Sequence, residues 1–293
     1  MRRSQSDGAG EIKPLVSIGM PVFNEARFLG QAVEALLAQT YPHLEIIISD
    51  NASTDETETI CRWAASKDRR IHYSRFTENQ GVTANFQHVL EKASGDYFLW
   101  ASGHDLWSEN LVQECVALLE SHPAALLAFA SSQWIGEEGE VLAKESGWSD
   151  TRGLSPIARF MTVLWGNMHP ILGVMRTQAL RSIPKIQDCV GADLIVLAEL
   201  ALSGDFLHAP GALWSRRLFR APETHDARME RYQDKSFGMG QSALDRIFPL
   251  LRLPMGLMGV VQRAALGWPD KLCLAAMLVP ALPARYFVGR ARR

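Results

Sequence analysis

Strand-like and helix-like segments alternate five times over the first ~130 residues, and no other feature restricts the fold as tightly, because this is the pattern of a parallel sheet wrapped by crossover helices. The strand-like runs are Leu15 to Phe23, Leu44 to Ser49, Ile71 to Phe76, Tyr97 to Ala101 and Leu126 to Ser131. Between them, Ala26 to Gln39, Thr59 to Ser66, Thr83 to Lys92 and Leu111 to Leu119 carry apolar residues at helical spacing. The expected fold class is α/β: a Rossmann-like, mostly parallel sheet with helices on both faces and right-handed crossovers. Pro21 lacks a ladder donor and belongs at the exit of the first strand.

Ligands of open α/β sheets bind beyond the carboxyl ends of the strands. Three strands here end in polar side chains: Asn24-Glu25, Asp50-Asn51 and His104-Asp105. The last pair closes the stretch Gly95 to Trp107, which reads as a buried strand running into a polar loop. His and Asp are good ligands for a divalent cation, and a cation there can hold a diphosphate. The same residues also suit a plain strand followed by a helix capped at Ser108. No G-x-G-x-x-G follows the first strand, and no P-loop, G-x-S-x-G or H-E-x-x-H motif occurs. A nucleotide site would therefore be read by side chains and a metal rather than by a glycine-rich loop.

With 293 residues, 47% of them hydrophobic, the chain can fill one large α/β domain plus an appendage. A net charge of −2 gives no footprint for nucleic acid. The four cysteines, Cys61, Cys115, Cys189 and Cys273, are far apart and form no C-x-x-C pair, as expected of reduced thiols in the cytoplasm. Met1 to Gly10 is polar, without the apolar core of a signal peptide, and residues 1–13 are expected to be disordered. No run reaches the ~18 apolar residues of a membrane span.

Further along, Glu137 to Ser155 is polar and reads as a mobile loop, and Gly166 to Arg176 as a turn entering a strand. Gly191-Ala192-Asp193 opens the apolar run Leu194 to Leu202. Asp193 suits either a helix cap or a carboxylate facing a cleft.

Taken in order, Pro21-Val22-Phe23-Asn24-Glu25, Ser49 to Asp55, Asn79-Gln80-Gly81, Gly95 to Trp107 and Gly191-Ala192-Asp193 resemble the motifs of family 2 glycosyltransferases, inverting enzymes of the GT-A fold. The likeness covers roughly residues 14–225. It implies transfer of a sugar from a UDP- or dTDP-sugar to an acceptor hydroxyl, in polysaccharide, O-antigen or glycolipid assembly. It also implies that Pro21, Phe23, Asn24, Glu25, Asp50, Asn79 and Asn85 surround the nucleotide, and that Asp193 is the general base. Where many members carry an arginine, this chain has Phe86; Arg217 or Arg220 would then approach the diphosphate. In place of the family's Asp-x-Asp, the slots hold Ser102, on the ribose side, and His104 and Asp105, on the metal side, which implies Mn²⁺ or Mg²⁺ as cofactor. The altered motif also leaves room for a non-catalytic nucleotide-sugar-binding protein.

Residues 226–293 depart from that domain as a helical, basic appendage. After Leu244, eight basic residues stand against Asp245 and Asp270, an excess of six, which leaves the preceding residues at −8 within the whole-chain charge of −2. Pro254, Pro269, Pro280 and Pro283 are expected to prevent one long helix. The region reads equally as an amphipathic contact with the inner face of a membrane, near a lipid-linked glycan acceptor, or as a lid packed on the domain or on a second copy.

Overall fold

The computed structural model describes residues 13–144, 150–167, 169–219 and 251–291, with a few isolated positions between 224 and 234. The sequence-level elements form close to their expected bounds: β1 (Val16–Val22), α1 (Ala26–Leu37), β2 (Leu44–Asp50), α2 (Thr57–Lys67), β3 (Ile71–Arg75), α3 (Val82–Lys92), β4 (Tyr97–Trp100) and α4 (Leu111–Ser121). A two-residue strand, β5 (Leu106–Trp107), precedes α4. Then come β6 (Ala125–Ile135), β7 (Val141–Leu142), α5 (Pro156–Trp165), β8 (Val174–Arg176), α6 (Thr177–Ser182), α7 (Ala192–Ser203) and β9 (Asp205–Arg217). Two helices follow, α8 (Arg252–Arg263) and α9 (Trp268–Ala291).

The sheet runs β3-β2-β1-β4-β8-β6-β9-β5, with β7 on β6. β3, β2, β1 and β4 are parallel. The next expected parallel neighbour, β6, does not touch β4. The short strand β8 lies between them, antiparallel to both. The sheet is therefore mixed, and its second half is held mainly by the long parallel pairing of β6 with β9.

Strand alternation divides the core in two. Ile46, Ile48, Tyr97 and Leu99 face one cluster with Leu29, Leu36, Cys61 and Cys115 of α1, α2 and α4. Ile47, Phe98 and Trp100 face the other, with Val89, Phe160 and Leu197 of α3, α5 and α7. Leu257 of α8 and Leu274 and Leu278 of α9 belong to this second cluster, so the C-terminal helices share the core of the sheet.

Contrary to expectation, α9 runs through Pro280 and Pro283 as one helix. Each proline removes one helical hydrogen bond and crowds the carbonyl four residues back, and packing of Leu274, Leu278 and Ala281 into the core offsets that cost. Pro254 and Pro269 fall in first turns, where an N–H would lack a partner anyway. The termini 1–12 and 292–293 and the boundary expected near 225 lie outside the described residues.

Candidate functional site

The exits of β1, β2 and β4 form a tightly bonded shoulder. Two residues there, Asn24 and Ala52, have left-handed backbones, with φ of 53° and 61°. For alanine that region is strained, and such strain concentrates at functional sites. It is held in place by side chains. Ser53 Oγ accepts the Asn24 N–H at 2.9 Å, Asn24 Oδ1 accepts the Thr54 N–H at 2.8 Å, and Thr57 Oγ1 accepts the Glu25 N–H at 2.9 Å.

Asp50 is fully buried. Its Oδ1 accepts the Ser53 N–H at 2.9 Å, and its Oδ2 accepts Tyr73 Oη–H at 3.0 Å and Arg75 Nε–H at 3.2 Å. Asn51, named from the sequence only as part of a polar strand exit, holds the next loop: its Nδ2 donates to Asn79 Oδ1 at 2.8 Å and its Oδ1 accepts the Gln80 N–H. Asn85 Nδ2 donates to the carbonyls of Ser49 and Val22, while its Oδ1 is buried without a partner. Ser49 Oγ and Ser102 Oγ are likewise buried and unpaired. Three unsatisfied polar atoms near one sheet edge are costly, and a polar ligand at that edge would relieve the cost. Pro21 and Phe23 are half-buried on the same shoulder.

His104 and Asp105 are differently placed. His104 Nδ1 lies 3.0 Å from Glu25, its ring packs edge-on against Phe219, and its Nε2 is 3.9 Å from Asp105 Oδ1. Asp105 is buried, accepting Trp214 Nε1–H at Oδ2 (3.0 Å) and the Arg217 N–H at Oδ1 (2.9 Å). Among the described residues no group of three or more His, Cys, Asp or Glu side chains is placed to hold a metal by itself. The pair nevertheless suits a cation completed by phosphate oxygens and water. Each Asp105 oxygen keeps acceptor capacity, and a carboxylate on Nδ1 orients an imidazole for ligation through Nε2.

The two arginines at the end of β9 point opposite ways, as strand alternation requires. Arg217 is buried, and its guanidinium is committed to the protein: Nε donates to the His104 carbonyl, Nη2 to Gln31 Oε1, Nη1 to the carbonyls of Gly136 and Glu137, and the plane lies over Phe28. It pins the loop after β6 rather than facing open space. Arg216 packs instead over the Trp134 and Trp214 rings and lines a cleft. Arg220 lies outside the described residues.

That cleft has a volume of about 300 Å³. Phe86, Trp100, Ile171, Trp214 and Arg216 wall it, and Asp193 lines it. Asp193 is in the first turn of α7 but does not cap it. The cap position is Gly191, whose φ of 87° suits glycine, and a Cβ there would stand 3.0 Å from Leu253 of α8. Burial pushes the Asp193 carboxyl above the ordinary carboxylate range. The Leu194 N–H at 2.9 Å and the charges of Arg285 and Arg216 work against that rise. Arg285 comes from α9 and donates to the carbonyls of Leu164 and Gly166. Behind the cleft, His169 packs edge-on against Trp214 and its Nδ1 contacts Ser132 Oγ at 2.9 Å. Burial and the Arg216 charge lower its pKa to about 4, so it is neutral near pH 7.

The chain is 38% identical over 106 residues to an uncharacterized glycosyltransferase of Rickettsia typhi, a match covering 36% of this chain and 32% of the relative. It is 30% identical over 132 residues to TuaG of Bacillus subtilis, which carries the name of a teichuronic acid biosynthesis glycosyltransferase; that match covers 45% of this chain and 52% of TuaG. These matches thus span about half or less of the curated relatives. In fold the chain resembles TarS of Staphylococcus aureus, solved with UDP-GlcNAc (TM-score 0.65, 14% identity, 91% of this chain and 72% of that one). It also resembles a mannosyltransferase of Pyrobaculum calidifontis solved with GDP-Man and Mn²⁺ (TM-score 0.56, 19% identity, 94% and 83%). The model of Glycosyl transferase family 2 matches residues 17–177, more than half of the chain, and the chain belongs to that family.

Proposed function

We propose that this protein is an inverting glycosyltransferase that moves a sugar from a UDP- or dTDP-sugar to an acceptor hydroxyl in surface-polysaccharide or glycolipid assembly. The observation that carries the reading is Asp193: a carboxylate of raised pKa on the wall of an aromatic cleft, beside a shoulder of strand exits with unsatisfied polar atoms. The name of TuaG supports the polysaccharide setting.

In this mechanism Asp193 takes the proton of the acceptor hydroxyl as its oxygen attacks the anomeric carbon. The bond from that carbon to the diphosphate oxygen breaks on the opposite face, and the configuration inverts. Phe86, backed by the buried rings of Trp100 and Trp214, walls the cleft against water. Arg216 approaches the developing negative charge of the diphosphate, in the role expected of Arg217 or Arg220. Pro21, Phe23, Asn24, Asn79 and Ser102 frame the nucleotide, while Asp50 and Asn85 position that frame through their internal bonds. His104, oriented by Glu25, and Asp105 would hold a Mn²⁺ or Mg²⁺ ion. When bound, that ion neutralises the leaving diphosphate.

The test is calorimetric titration of UDP and dTDP with and without Mn²⁺, paired with release of nucleotide from a panel of their sugars. Binding with turnover that Asp193→Asn removes supports the enzyme. Donor binding without turnover on any acceptor favours the non-catalytic reading, and no binding of either nucleotide sinks the donor assignment.

A further inference from the structure

The inner face of α9 is spent on the core through Leu274, Leu278 and Ala281. Its outer face is apolar and open. Trp268 is 68% exposed, Leu272 51% and Val279 73%. At 100° per residue these three fall with Cys273, Ala276 and Pro283 inside one arc of about 140°, and the arc runs about 22 Å along the helix from Trp268 to Pro283. Asp270 and Lys271, the charged residues of that stretch, both project outside it. On the neighbouring helix α8, Met255 is 63% exposed. An uncharged exposed face of this length marks an interaction surface.

The occupant follows from charge. This face belongs to the region that carries an excess of six basic residues, on a chain whose remainder is at −8. Two copies meeting through the same face would bring two basic regions together, which repel. A negatively charged bilayer surface complements them, and apolar side chains rimmed by Lys and Arg are what an interfacial helix presents to it. No described helix is long and apolar enough to cross a membrane, so the contact lies along the surface.

We infer that the outer face of α9 docks the protein on an anionic lipid surface. Trp268, Leu272 and Val279 enter the headgroup region, and Lys271, in the first turns of the same helix, meets lipid phosphates. The same helix carries Arg285 to the carbonyls beside the Asp193 cleft, so docking sets that cleft at a fixed height above the lipid.

Co-sedimentation of the full chain with vesicles tests this in the absence of any sugar donor, so this surface and the transfer reading can fail separately. The protein is expected to pellet with an equal mixture of phosphatidylglycerol and phosphatidylcholine, to stay in solution with phosphatidylcholine alone, and to be released by high salt. The double variant Leu272→Glu/Val279→Glu is expected to weaken binding about tenfold or more, with thermal unfolding unchanged because both side chains are exposed. Should that variant unfold early, Trp268→Ser gives a milder test at a position outside the core. Three results would overturn the inference: no pelleting with anionic vesicles, equal binding to both vesicle types, or a dimer that the double variant disperses while vesicle binding is absent.

Discussion

The shoulder formed by the exits of β1, β2 and β4 and the cleft around Asp193 lie side by side yet are built on opposite plans. On the shoulder, carboxylates and amides are bonded to their neighbours: Asp50 to Ser53, Tyr73 and Arg75, Asn51 to the Asn79 loop, Asp105 to Trp214 and Arg217. The cleft is mostly aromatic and aliphatic, and its carboxylate is held above its ordinary pKa. A binding surface gains from groups fixed before the ligand arrives, because less ordering remains to be done. A base gains from the reverse, an environment that leaves it ready to take a proton.

Asp193→Asn should separate the two most sharply. Turnover is expected to fall about 10³-fold, while donor affinity by calorimetry changes no more than about threefold. An equal loss of affinity would show that the carboxylate belongs to the donor shoulder instead. Asp50→Ala should do the opposite and act on the fold. Loss of a buried carboxylate paired with Arg75 is expected to cost about 3 kcal/mol in urea unfolding. Unchanged stability would mean the shoulder is not held from within.

His169 sharpens the picture from the cleft side. Its pKa is about 4 in the folded protein against 6.5 for a free imidazole, so between those values the unfolded chain binds the extra proton. Stability should therefore fall as pH drops from 6.5 towards 4, by about 2 kcal/mol, and His169→Gln should flatten that slope in a pH series of unfolding curves. The smallest effect belongs to Arg285→Met. Removing this charge lets burial raise the Asp193 pKa further. Since the base must be ionised, the acid limb of the kcat profile should move to higher pH. A limb that stays in place would show that α9 does not reach the base electrostatically.

The parallel half of the sheet was legible because β1, β2 and β4 are apolar runs that end abruptly in polar residues. β8 was not legible as a divider. Three residues, Val174–Arg176, set no direction of their own, and only pairing with β4 and β6 makes them antiparallel. The order of motifs pointed to Asp193, and the structure adds that Gly191 relieves it of capping the helix. Which of Arg216 and Arg217 faces the cleft depended on the strand parity of β9, and that strand makes a register shift after Ala130/Ala209 which no local pattern announces. The prolines of α9 misled for a related reason: their local cost was readable, whereas the core contacts that offset it come from α5 and α8.

Trp214 belongs to both plans. Its indole N–H is the bond that holds Asp105, and its ring is a wall of the Asp193 cleft. On the proposed function, donor and acceptor would thus meet two sides of one rigid plane. Any tilt of the indole that accompanies a ligand at Asp105 reshapes the space offered to the other substrate, and the free energy of that coupling is the same read in either direction. On that reading, any synergy between the two substrates would run through this one side chain.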